Sequence, residues 1–278
     1  MYTFICNDSP NGILSGIYDA WDFKIKQNRK FHSGEAAAPC SHTDISLLCR
    51  EPENYSLFCE YLPVTESEEK SDKVAKTILK RLGLEFYDTL LNAILAITPE
   101  SRSAPDKADA AYKTVVYALS SPLGAAALND LANPYVHRIF ALSRATGAEA
   151  HHLLGFLRFS ELENGVLFAV IHPKNNALPF LAEHFTDRLP QENFMIYDEN
   201  RRTAAVHSAG KNFMLVDASD LNQDILNRFS QKEQEYRSLW QTFFESIAIK
   251  ARTNPKLQSQ NIPKRFWGDT VELRTIGP

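Results

Sequence analysis

The 278-residue sequence has no uninterrupted run of 18 or more apolar residues, the length that a membrane-spanning helix requires. It opens Met-Tyr-Thr-Phe-Ile-Cys and meets Asn7 and Asp8 at once, with no basic region ahead of an apolar stretch. Neither membrane insertion nor export is expected, and the reading is cytoplasmic. An excess of one charge is also lacking. Thirty Lys+Arg against 34 Asp+Glu leave −4 at pH 7, which excludes a globally basic nucleic-acid coat protein. Three glycine signatures are missing: G-x-G-x-x-G, G-x4-G-K-[ST] and G-x-S-x-G. Dinucleotide, P-loop and nucleophile-elbow readings therefore lack their defining residues. No H-E-x-x-H and no internal repeat occurs.

Cysteine is scarce. Cys6, Cys40, Cys49 and Cys59 in a chain of this length read as reduced thiols, since a core this large needs no disulfide staples. Cys40, His42, Cys49 and Cys59 offer soft ligands, but Cys49 and Cys59 stand ten residues apart, whereas structural zinc sites set paired ligands two to four apart. No metal and no cofactor is expected. What is present is ordinary globular composition, 44% hydrophobic and 23% charged.

A short strand is expected at Tyr2–Cys6, then a helix in which Ile13, Ile17, Tyr18 and Trp21 recur at three- and four-residue steps. Residues 27–53 read mostly as loop and Tyr55–Val64 as a strand. A helix is expected from the acidic first turn Thr65–Glu69, with Val74, Ile78, Leu79 and Leu82 as its apolar face, and further helices near 84–97, 106–118 and 122–131. A long one follows Asn133-Pro134 to about Leu154, with Asn as cap and Pro at the first helical position. After Leu154 the character changes. Gly155–Leu162 and Val166–Ile171 flank Asn164-Gly165, a strong hairpin signal. A helix over 178–189 and strands at 194–197, 203–207 and 213–216 complete the pattern. The class is α+β: a helix-rich N-terminal half (1–154) packed on a mostly antiparallel sheet (155–278), read as one compact unit, with a C-terminal helix and a basic tail.

The C-terminal helix from Gln231 carries Tyr236, Leu239, Trp240, Phe243, Phe244 and Ile247, a stripe expected to pack into the core. Beyond it, Arg228–Gly268 holds eight basic and three acidic residues, so it carries +5 and leaves −9 on the rest of a chain whose total is −4. Lys250, Arg252, Lys256, Lys264 and Arg265, interleaved with Asn254, Gln258, Gln260 and Asn261, suit phosphate oxygens, and Trp267 suits base stacking. Pro255 and Pro263 are expected to keep this segment out of a regular helix. The plainer alternative is a solvated tail that packs Leu257, Ile262 and Trp267 on the domain and pairs with its acidic surface.

A second set of candidates is His151, Arg158, His184, Arg188 and Asp198. Brought into one cleft, they could do acid-base work or hold a phosphate without a metal. Glu149 and His151 are two residues apart and so do not share a helical face. His184 is expected to be semi-buried beside Leu181 and Phe185, and Asp198 with Arg201 and Arg202 reads as an ion-pair or anion corner. In Gly155-Phe156-Leu157-Arg158-Phe159 the two Phe residues sit three apart, so a strand there would not present both rings on one face as an RNA-recognition strand does.

Several of these residues together resemble a bacterial family of DNA metabolism proteins. The match runs through Tyr2–Cys6 with Gly12-Ile13-Leu14, Leu57–Tyr61, Glu149-Ala150-His151, Gly155–Phe159, His184-Phe185 with Asp187-Arg188, and Phe194–Asp198 with Arg201. It continues through Ser246–Ile249, Arg252, Asn254-Pro255, Leu257, Gln260, Pro263-Lys264-Arg265 and Trp267. The chain departs from the family pattern at Lys250, Thr253 and Asn261. That family accompanies a radical SAM protein of DNA modification or repair, and its domain is also found joined to uracil-DNA glycosylase-type domains. The resemblance implies a DNA-binding accessory factor and carries no catalytic assignment. The alternatives are a metal-independent enzyme acting on nucleic acid and a protein-interaction scaffold.

Overall fold

The computed structural model describes residues 1–34, 38–98, 104–221, 228–247 and 249–269. The chain divides into two compact units, Met1–Gly147 and Ala148–Pro278, seven residues ahead of the change of character that the sequence shows after Leu154.

In the first unit, β1 (Tyr2–Ile5), β2 (Ile45–Leu48) and β3 (Glu60–Pro63) form an all-parallel sheet in the order β2-β1-β3. Parallel neighbours need a crossover, and α1 (Pro10–His32) supplies the one between β1 and β2. Ser9 caps it, its hydroxyl accepting from Gly12 N at 2.9 Å, with Pro10 at the first position. Glycine is required at Gly12, where a Cβ would lie 2.5 Å from the Asn7 carbonyl oxygen, and Gly16 sits within 3.2 Å of a Leu47 methyl carbon by the same measure. The helices α2 (Glu68–Leu82), α3 (Leu84–Ile94) and α4 (Lys107–Ser120) add to the shell, and α5 (Pro134–Phe156) runs out of this unit. Ile13, Ile17, Ile45, Leu47, Ile78, Phe86, Leu90 and Tyr112 form its core.

Three expectations change here. The loop assigned to 27–53 contains the end of α1 and all of β2. β2 is short and is made by pairing with β1, Tyr2 opposite Ile45 through Ile5 opposite Leu48, a partnership that local periodicity does not report. The strand expected over 55–64 shrinks to Glu60–Pro63, and Tyr55, Leu57 and Phe58 stand exposed before it. The helix expected over 122–131 is a 3-10 turn, Gly124–Asn129, opened by Gly124 at φ 54°.

In the second unit, β4 (Ser160–Glu161), β5 (Leu167–Ile171), β6 (Phe194–Asp198), β7 (Thr203–His207) and β8 (Met214–Asp217) form one sheet in chain order. Three of its pairs are antiparallel, and β5–β6 is parallel because α6 (Leu178–Arg188) returns the chain to the same end. The fold is α+β. The hairpin turns at Gly165 (φ 77°), with Leu162 N donating to Val166 O at 3.0 Å. Its first strand is shorter than expected: α5 continues through Phe156, and Leu157 N still donates to Leu153 O, so residues 155–159 are not a strand. Leu153, Ile171, Leu181, Phe185, Phe194, Ile196 and Phe266 form the main core of this unit. No helix among the described residues is long and apolar enough to cross a membrane.

The unit ends in α7 (Gln231–Ile247), α8 (Pro255–Asn261) and a 3-10 turn, Lys264–Asp269. The apolar stripe of α7 is not core: Tyr236, Leu239, Trp240, Phe243 and Ile247 are all exposed, while the Phe244 side chain lies outside the described residues. α7 attaches by its polar side instead. Arg237 pairs with Glu233 at 2.7 Å, reaches Ser160 Oγ on β4 and stacks its guanidinium 3.9 Å from the centre of the Phe229 ring.

The segment before β2 is pinned to α4 by titratable groups. His42 Nδ1 shares a 2.6 Å hydrogen bond with the Tyr112 hydroxyl, Lys113 donates to the His42 and Ile45 carbonyls, and Asp109 accepts from Leu47 N at 3.1 Å. Burial, helped by Lys24 and Lys113, lowers His42 from 6.5 to about 4. Burial raises Asp109 from 3.8 to about 6 against the pull of Lys113 and the Leu47 N–H. The two act oppositely on stability. The His42 contribution is complete above pH 6.5 and is lost as pH falls through about 4, whereas that of Asp109 is complete below 3.8 and is lost as pH rises through about 6. In Asp109→Asn the deficit relative to the parent chain should therefore grow, by about 2 kcal/mol, as pH is lowered from 6.5 to 4. Urea unfolding midpoints at several pH values measure it, and His42→Gln should show the opposite trend.

Candidate nucleic-acid interface

The C-terminal segment is built on a fixed anchor. Pro255 does not prevent a helix; it begins α8, because a proline at the first position gives up an N–H that has no intrahelical partner. Asn254 caps the helix, its Oδ1 accepting from Leu257 N at 3.1 Å, so this predicted phosphate contact is committed to the backbone. After α8 the chain turns at Ile262. Trp267 Nε1 donates to the Ile262 carbonyl at 2.8 Å, which closes the turn and leaves the indole half-buried. Phe266 is 1% exposed, 5.3 Å from the Phe156 ring and 6.4 Å from that of His152.

Arg265 completes the anchor. Its Nη1 lies 3.3 Å from Glu149, a carboxylate on α5 that is itself only 3% exposed. Glu149 also accepts from Lys174 N at 2.9 Å, Asn175 N at 2.7 Å and Asn175 Nδ2 at 2.8 Å. Four donors satisfy it, as a buried charge requires. One acidic side chain thus joins α5, the loop between β5 and α6, and the C-terminal turn. Its role was not visible in the sequence, where Glu149 stood out only for its nearness to His151; pairing with Arg265 across 116 positions leaves no local signal.

The remaining predicted cations divide by environment. Arg252, Lys256 and Lys264 are exposed, as is Gln260, and among the described residues none of the three cations has a carboxylate partner. Lys264 Nζ stands 5.8 Å from the centre of the Trp267 ring, a cation over an aromatic face. The side chain of Lys250 lies outside the described residues.

The five residues considered for a catalytic cleft are carried by α5, the turn after it, α6 and β6. Arg158 donates to the Gly155 and Leu157 carbonyls and so closes the end of α5. His151 is exposed on α5. His184 is exposed rather than semi-buried, its ring edge-on to Phe185 at 5.2 Å, because Leu181, Ala182 and Phe185 take the core-facing positions of α6. Arg188 is the last residue of α6 and Asp198 the last of β6. Asp198 is fully buried and pairs with Arg201 at 2.8 Å; burial raises its carboxyl while Arg201 pulls it down. Arg201 also donates to the Pro173 and Lys174 carbonyls, and His172 meets Glu199 at 2.5 Å. The corner is thus an ion-paired clasp on the same loop that Glu149 holds.

Together these features define an α+β protein whose second unit carries an anchored, cation-bearing C-terminal segment. The family model described as a domain of unknown function, DUF4130, matches residues 105–272, and the chain belongs to that family. No curated protein and no solved structure matches it.

Glu149→Ala should destabilise the chain by about 3 kcal/mol, since it strands three loop N–H groups and Arg265. Arg265→Ala should cost about 1 kcal/mol, because Glu149 keeps its other donors. Urea denaturation measures both, and limited trypsin digestion at Arg252 and Lys256 should accelerate in each.

Proposed function

We propose that this protein is a DNA-binding accessory factor in DNA repair or modification that works with a radical SAM enzyme. The observation that carries the reading is the set of exposed cations Arg252, Lys256 and Lys264 on a segment that Arg265 and Phe266 tie to the second unit. Three exposed charges on an anchored segment can meet successive phosphates with less ordering than on a free tail. They lie in the stretch of eight basic and three acidic residues on an otherwise acidic chain, so that surface attracts a polyanion while the remainder repels it. The likeness to DNA metabolism proteins that travel with a radical SAM protein supports the cellular setting. Trp267, half-buried and hydrogen-bonded to Ile262 O, serves the frame and offers at most one face to a base.

Fluorescence anisotropy with a 20-mer duplex and the corresponding single strand, from 50 to 300 mM salt, tests this reading. The parent chain should bind with a steep dependence on salt. Arg252→Ala, Lys256→Ala and Lys264→Ala combined should weaken binding and make the slope of log K against log salt shallower by between about two and three for duplex DNA. A parent slope near zero, or a triple variant indistinguishable from the parent, would remove the proposal.

A further inference from the structure

The first unit holds a cavity that the DNA-binding reading leaves unused. Its volume is about 860 Å³, and Asp8, Leu48, Asp106 and Arg138 are part of its wall. Asp8 follows β1 and Leu48 ends β2, so the cavity lies at the carboxyl ends of the parallel strands. There β1 stands between its two partners and the connections from neighbouring strands diverge, the place where a parallel sheet opens a crevice for a ligand. Arg138 is the anomaly of this wall. It stands half-buried in the second turn of α5, and its Nε is sealed from solvent without a hydrogen-bond partner. Among the described residues its guanidinium has no carboxylate within ion-pair reach. A cation withdrawn from water without a counter-charge is unfavourable. Lys107, the buried cation nearby, shows the usual compensation: 4% exposed, it meets Asp8 Oδ1 at 2.5 Å and donates to the Ile94 and Ala96 carbonyls. Asp106 Oδ1 accepts from Ala108 N at 2.8 Å as the cap of α4. Each of these two carboxylates therefore keeps its second oxygen without a protein donor among the described residues.

We infer that this cavity binds a small polyhydroxylated anion, a sugar phosphate or a sugar acid, with its oxyanion on Arg138 and hydroxyls on the open oxygens of Asp8 and Asp106. Arginine suits the first role because its planar fork meets a phosphate or carboxylate with two hydrogen bonds. The carboxylates suit the second because a hydroxyl donates strongly to an ionised acceptor. A bare anion would meet the repulsion of both carboxylates and leave their oxygens unmatched. A neutral sugar would leave Arg138 uncompensated. Glu51 and Glu53, also on the wall, add negative charge that turns away a polyanion such as nucleic acid. The cavity thus selects a molecule that carries one oxyanion and several hydroxyl donors, and the inference does not rest on the DNA-binding reading.

Calorimetric titration of the full-length chain with ribose 5-phosphate and with gluconate tests the inference and tells the two anions apart. At least one of them should bind, at least tenfold more tightly than ribose or inorganic phosphate. Arg138→Met should lower that affinity at least tenfold. Because it removes an uncompensated charge, it should leave the urea midpoint of the free protein unchanged or raised, whereas loss of an arginine kept for structure alone would lower it. Asp106→Asn, which preserves the cap of α4, should weaken the same ligand at least threefold with the fold intact. The inference is overturned if neither compound binds more tightly than about 10 mM, or if ribose or inorganic phosphate binds as well as they do. It is also overturned if Arg138→Met lowers the urea midpoint or keeps the affinity of the parent chain, or if Asp106→Asn binds unchanged.

Discussion

A single buried carboxylate organises the second unit. Glu149 is set on α5, yet its four donors come from the loop after β5 and from Arg265 near the end of the described chain. Removing a charge from water is unfavourable unless its hydrogen bonds are replaced, so the loop and the tail are both held wherever Glu149 is satisfied. Around this point the rest follows: Phe266 enters the core beside Phe156, Trp267 closes the turn on Ile262, and the Asp198–Arg201 pair clasps the other side of the loop. The cations ahead of this anchor thereby lie on a segment tied to the unit at Arg265 and Phe266.

The first unit shows the same economy with different chemistry. Its parallel sheet depends on an edge strand, β2, that has little local drive to form. Asp109, Lys113 and the His42–Tyr112 bond hold the segment leading into it against α4. These groups keep opposite protonation preferences at mildly acid pH, so the pinning is balanced by two titrations that act in contrary directions.

Two of the residues singled out for chemistry are taken up by the fold itself. Arg158 closes the end of α5 and Asp198 pairs with Arg201, while His151, His184 and Arg188 stay exposed on their helices. What stays available is a group of fixed cations and, on α7, an apolar stripe facing outward.

The sequence by itself determined the α+β class, most helices, the Asn164-Gly165 hairpin turn and the concentration of positive charge after Arg228. These are encoded in neighbouring residues, through periodicity, capping and turn conformation, and each leaves a signal within a dozen positions. It also marked Asn254, Arg265 and Trp267 as notable residues, but not what they do. Tertiary structure decided that Arg265 answers Glu149, that β2 exists as a strand, that β5 and β6 run parallel, and that the α7 stripe faces outward. The physical reason is that burial and pairing belong to contacts between distant positions. An amphipathic helix announces that it has an apolar face, but only the placement of its neighbours determines whether that face is covered.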